Sequence, residues 1–143
     1  MNQNQELLNF IYENAQMGIE TLPKLIKLVE DENFKEQLKY QYKKYTEFAE
    51  KAKKLLAENG CEEKGVSTMQ KLQTYIMINI QTLTDKSVTH IAEMLIVGSN
   101  MGVIQALRRI RQFSHGAKKE ILDFMYDLLR HEEDNIKKLK LFI

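Results

Sequence analysis

Apolar residues return every third or fourth position along most of this chain, and a single proline interrupts them. That period gathers them on one side of an α-helix, and no segment alternates convincingly at the period of two that a half-buried strand needs. With Pro23 alone and only 6 glycines among 143 residues, nearly every stretch can propagate a helix. The expected class is therefore all-α. A helix apolar along one stripe must bury that stripe, and four such helices satisfy one another as a bundle.

The first helix is predicted from about Asn4 to Glu30, with Leu7, Ile11, Asn14, Gly18, Leu22, Leu25 and Val29 on one stripe. Pro23 removes an i to i−4 hydrogen bond, so a bend is expected between Gly18 and Pro23. Asn33 and Glu36 have the spacing of a capping box. The second helix, from about Phe34 to Glu58, then stacks Phe34, Leu38, Gln41, Tyr45, Phe48, Ala52, Leu55 and Leu56 and ends at Asn59-Gly60. The short turn around Asp31 makes these two helices an antiparallel hairpin.

Ser67 and Gln70 repeat the capping spacing and open a helix-compatible run that reaches Phe113. Unbroken, it would measure about 70 Å, against roughly 40 Å for each of the first two helices. A break is expected at Thr82 to Ser87, where hydroxyl groups and Asp85 offer the backbone other hydrogen bonds and a fresh N-cap. This divides a short connecting helix, about Thr68 to Leu83 with Met69, Leu72, Ile76 and Ile80 on one side, from a third main helix of about Ser87 to Phe113. After a turn at Ser114 to Gly116, the fourth helix carries Ile121, Leu122, Met125, Leu128, Leu129, Glu132, Ile136 and Leu139 inward. No repeat, low-complexity segment or linker divides the chain, so residues 1–143 are expected to form a single helical-bundle domain. The connecting helix either runs back along the bundle, making helices two and three parallel, or caps one end of an up-down-up-down bundle.

Lys and Arg number 21 against 20 Asp and Glu, and a net charge of +1 gives no overall attraction to nucleic acid or to an acidic membrane. Neither is an expected partner. Cys61 alone excludes an internal disulfide framework, and the polar start Met1-Asn-Gln-Asn-Gln-Glu lacks the pattern of a signal peptide, so a cytoplasmic location is expected. The densest apolar stretch, Ile91 to Gly98, is interrupted by Glu93 and falls short of the roughly 18 residues that cross a bilayer.

The third helix carries the most distinctive segment, His90-Ile-Ala-Glu-Met-Leu-Ile-Val-Gly-Ser-Asn-Met-Gly102. Ala92, Leu95, Gly102 and Ala106 form one apolar side, and Met94, Val97, Met101 and Ile104 form a second. A helix apolar on both sides is expected to be buried, its second side covered by the connecting helix or by another subunit, which makes a homo-oligomer the expected state. Gly98, Gly102 and Ala106 permit close helix packing. Arg108, Arg109 and Arg111, with Lys118 and Lys119, could grip phosphate. Without interleaved aromatic residues they read better as a solvated helix end that suits the C-terminal dipole. The methionines fit as core filler, and no serine, threonine or cysteine has the setting of a catalytic nucleophile.

On its two hairpins joined by a long helical connection, and on the His90 to Gly102 segment, the chain resembles the ferritin-like superfamily of small bacterial four-helix proteins, including spore-coat-like relatives. The resemblance covers nearly all residues. It implies a ferritin-like four-helix bundle with an additional short helix in the long connection between helices two and three. The roles it implies range from metal binding, oxygen or peroxide chemistry and iron storage to metal-free structural work. Di-metal sites of that kind take one Glu from each of two helices and a Glu-x-x-His from each of the other two. Here His90, His115 and His131 follow Ser87, Gln112 and Leu128 at that spacing, so the motif is missing and ferroxidase activity does not carry over. Glu13, Glu20, Glu47 and Glu50 are expected to face water, which leaves Glu132 as the carboxylate within a core stripe. The metal-site expectation is Glu132 with Glu93 and His90, holding iron, manganese or zinc. Against it stands a polar core network in which Asn14, Gln41, Tyr45 or His90 partners Glu132. The favoured expectation is a self-associating bundle with a structural or interaction role, its metal site absent or reduced and no cofactor required. The alternatives are a metal-binding redox or storage protein and a phosphate- or nucleic-acid-binding module.

Overall fold

The computed structural model describes residues 2–61, 76–77, 79–81 and 83–143. The regular structure among them is helical throughout: α1 (Gln3–Ile26), α2 (Glu32–Glu58), α3 (Val88–Phe113) and α4 (Lys119–Leu139), followed by a 3-10 turn at Lys140–Phe142. Ile76, Met77, Asn79, Ile80 and Gln81 are also helical, and residues 83–87 are not, which agrees with the expected break. The Ser67 cap and most of the expected connecting helix lie outside the described residues.

Side chains at the helix starts satisfy N–H groups that lack an intrahelical acceptor. Asn2 Oδ1 accepts from Gln5 N at 2.7 Å, and Ser87 Oγ accepts from His90 N at 3.2 Å. The cap of α2 is Asp31 and not Asn33, because Asp31 Oδ1 accepts from Phe34 N at 2.9 Å and starts the helix earlier. Gly60, with φ of 70°, turns the chain out of α2 in the left-handed conformation that glycine adopts without strain. The α-helix α1 runs through Pro23 and ends at Ile26, short of the expected Glu30.

The contacts at each end fix the direction of every helix. Lys118 donates its backbone N–H to Asn4 Oδ1 at 2.8 Å and its Nζ to Asn59 Oδ1 at 2.8 Å. The start of α1, the end of α2, the end of α3 and the start of α4 therefore lie together. At the opposite end the rings of Phe34 and Phe142 are 4.9 Å apart, and Thr89 Oγ1 donates to Phe142 O at 3.4 Å. It follows that α2 and α3 run parallel, with Asn59 and Ser87 at opposite ends of the molecule.

One apolar cluster, with Leu7, Phe10, Ile11, Leu56, Ile121 and Leu128, lies toward the α3–α4 turn. Another, with Leu22, Leu25, Phe34, Leu38, Ile91 and Leu139, fills the far end. Between them sits a polar layer.

Two expectations need correction. Glu13 does not face water: it is 2% exposed, because the first half of α1 is enclosed by the other three helices. Its charge bears on Arg109, whose guanidinium lies 4.5 Å from the Phe10 ring centroid. Within the single chain, α3 is buried on one face. Ile91, Ala92, Met94, Gly98, Gly102, Ala106 and Ile110 point inward, but Val97 is 44%, Ile104 44% and Leu107 48% exposed. Met94 sits on the inner shoulder of the helix, whereas Val97 and Ile104 lie beyond it, so the second apolar stripe is split between core and surface. By length and composition α3 could cross a membrane, a test that a core-facing helix also passes. The inward face of α4 is rotated from the expected one as well: Phe124, His131 and Asn135 are buried, while Leu122 and Ile136 are half-buried.

Candidate functional site

Glu132, 2% exposed, anchors the polar layer. Its Oε1 accepts from the Tyr45 hydroxyl of α2 and from Asn14 Nδ2 of α1 at 3.2 Å. Ser99 of α3 lies within reach of both Tyr45 and Glu132, and Gly102 of the same helix borders the carboxyl, so all four helices meet there. One turn further along α4, Asn135 Nδ2 donates to the Tyr45 hydroxyl at 3.3 Å. It also lies 3.1 Å from His131 Nε2, which accepts when the imidazole proton is on Nδ1.

Glycines make this arrangement sterically feasible. A Cβ on Gly18 would fall 2.3 Å from Tyr45 Cδ2, and one on Gly102 would fall 3.2 Å from Asn14 Oδ1 and 3.8 Å from Glu132 Oε2. Gly102 thus admits polar side chains as well as a neighbouring helix.

The electrostatics favour neutral groups. Burial pushes the Glu132 carboxyl up, while hydrogen bonds from Tyr45, Asn14 and Ser99 pull it partly back. Burial and then the Glu132 charge push the Tyr45 phenol well up. His131, 8% exposed, is lowered by burial to about 4 and so accepts hydrogen bonds as a neutral imidazole.

A cavity of about 40 Å³ opens beside the carboxyl, with Thr21, Gln41, Tyr45, Gly98, Ser99 and Glu132 in its wall. Gln41 is 2% exposed, and its Nε2 has no hydrogen-bond partner among the described residues. One water needs roughly 10–15 Å³ of such space, so solvent there would give Gln41 an acceptor.

The residues expected as metal ligands are not brought together. His90 is half-buried at the start of α3, and Glu93 is exposed. His90 precedes Gly102, against which Glu132 packs, by about 18 Å of helix. Among the described residues no group of three His, Cys, Asp or Glu side chains could hold a metal ion. The donors that do surround Glu132 are a phenol, amides and a hydroxyl, a poor fit to a di-metal centre built from carboxylates and imidazoles. Glu20, Glu47 and Glu50 are exposed as expected. Of the basic residues, Arg108 and Arg111 are exposed, whereas Arg109 is half-buried and donates to Gln105 Oε1 at 2.7 Å.

The expected network partners Asn14 and Tyr45 are in place, while Ser99, His131 and Asn135 were missed. The spacing of Phe124, Leu128, His131 and Asn135 held a signal for the last two, since it places them on one helical face. No protein family, curated protein or solved structure matches the chain.

Proposed function

We propose that this chain is a ferritin-like helical bundle with a structural or interaction role that self-associates, and whose interior metal site is reduced to a hydrogen-bonded carboxyl. The observation that carries the reading is the engagement of Glu132 Oε1 by Tyr45 and Asn14, because the groups that meet this carboxyl are neutral donors and not the further carboxylates and imidazoles of a di-metal site. The parallel course of α2 and α3 supports the ferritin-like arrangement. The exposed apolar residues of α3 support an interaction role.

Elemental analysis of protein purified without chelator, alongside Glu132→Gln, tests this reading. The expected metal content is well below one equivalent and is the same in both proteins. Stoichiometric iron, manganese or zinc that disappears in Glu132→Gln would overturn the reading in favour of a metal-binding protein.

A further inference from the structure

Resting on the self-association proposed above, we infer that the partner is a second copy of this chain, bound antiparallel along the outer face of α3 with the two-fold axis level with Gly102. Glu93, Val97, Asn100, Ile104, Leu107 and Arg111 follow one another at alternating spacings of four and three, the seam pattern of a coiled coil. At about 100° per residue they share a narrow arc opposite the buried Gly98, Gly102 and Ala106. All six are exposed.

Charge complementarity selects the orientation. In an antiparallel pair centred on Gly102, Val97 faces Leu107 of the second copy, Asn100 faces Ile104, and Glu93 faces Arg111. Two-fold symmetry then repeats each pairing, so opposite charges close both ends of a seam in which Val97, Ile104 and Leu107 supply the apolar contacts and Asn100 is the one uncharged polar member. A parallel pair would instead set Glu93 against Glu93 and Arg111 against Arg111. With a net charge of +1, the two copies repel little. The seam is about 27 Å long. One helix pair of that length is smaller than the standard interface of roughly 800 Å² per partner, so the dimer should form and dissociate with concentration.

Sedimentation velocity of the full chain over a wide concentration range tests the inference. The wild type should pass from a 16.8 kDa monomer to a species of twice that mass. Ile104→Lys should weaken association at least tenfold. Glu93→Arg and Arg111→Glu should each weaken it several-fold at low salt, and their combination should restore it. Because these side chains are exposed, unchanged helical circular dichroism is expected to accompany each variant. A wild type monomeric at every concentration overturns the self-association reading and the inference with it. A dimer unaffected by Ile104→Lys overturns only the assignment to α3. Charge variants whose combination fails to recover association overturn the antiparallel register.

Discussion

Gly18→Ala should lower stability by roughly 3 kcal/mol or more, against the gain of up to about 1 kcal/mol that the same change gives in an unconstrained helix interior. The added methyl would meet three carbons of the Tyr45 ring at 2.3, 2.6 and 2.7 Å. That ring cannot yield like the end of a flexible chain. Its hydroxyl is held by Glu132, and its ring stands at a right angle to that of His131 with 4.9 Å between centroids. Making room for the methyl therefore separates Tyr45 from Glu132, so overpacking and a broken buried hydrogen bond add together. Thermal unfolding monitored by circular dichroism should show a Tm lower by roughly 10 °C for a chain of this size. Gly102→Ala should be milder, since its methyl would meet Asn14 Oδ1 at 3.2 Å. A Tm unchanged or raised in Gly18→Ala would mean that Tyr45 is not seated against α1.

The second large effect is expected from the contrast between Glu132→Ala and Glu132→Gln. Alanine removes the acceptor shared by Tyr45 and Asn14 and leaves both donors buried without it. It also opens space beside an existing cavity. The combined loss should be roughly 3–5 kcal/mol. Glutamine keeps a carbonyl oxygen near the same place without a carboxyl that burial disfavours in its charged form, so its stability near neutral pH should match or exceed wild type. The two variants should also separate by pH. Because the folded-state pKa of Glu132 is raised, its stabilising effect is fully present below the ordinary value of 4.5 and is lost as pH rises through the folded value. Glu132→Gln should lack that dependence. Equal destabilisation by both variants would show that the ionised carboxylate itself holds the helices together.

The fold was largely legible because the inward positions follow the helical period. Leu7, Ile11, Leu22 and Leu25 of α1, and Phe34, Leu38, Ala52 and Leu56 of α2, are all buried where their stripes place them. The carboxyl at Glu132 and its partners Asn14 and Tyr45 were legible for the same reason, being polar residues at apolar positions. What could not be read was how far each helix would be enclosed. Periodicity gives a face and not the number of neighbours, so Glu13 looked solvated although three helices surround that part of α1. His131 and Asn135 were hidden because a small rotation of α4 exchanges them with Leu122 and Ile136 at the edge of its buried face. The reach of His90 toward Glu132 depended on axial position, which a helical-wheel reading discards.

The most direct measurement is a carbon-13 NMR titration of the Glu132 side-chain carboxyl in the folded protein, assigned by its loss in Glu132→Gln. A buried carboxyl held by neutral donors should titrate above the ordinary glutamate value of 4.5. A midpoint at or below 4.5 would contradict this, because it would mean that the donors Tyr45 and Asn14, or a bound cation, hold an ionised carboxylate against the cost of burial.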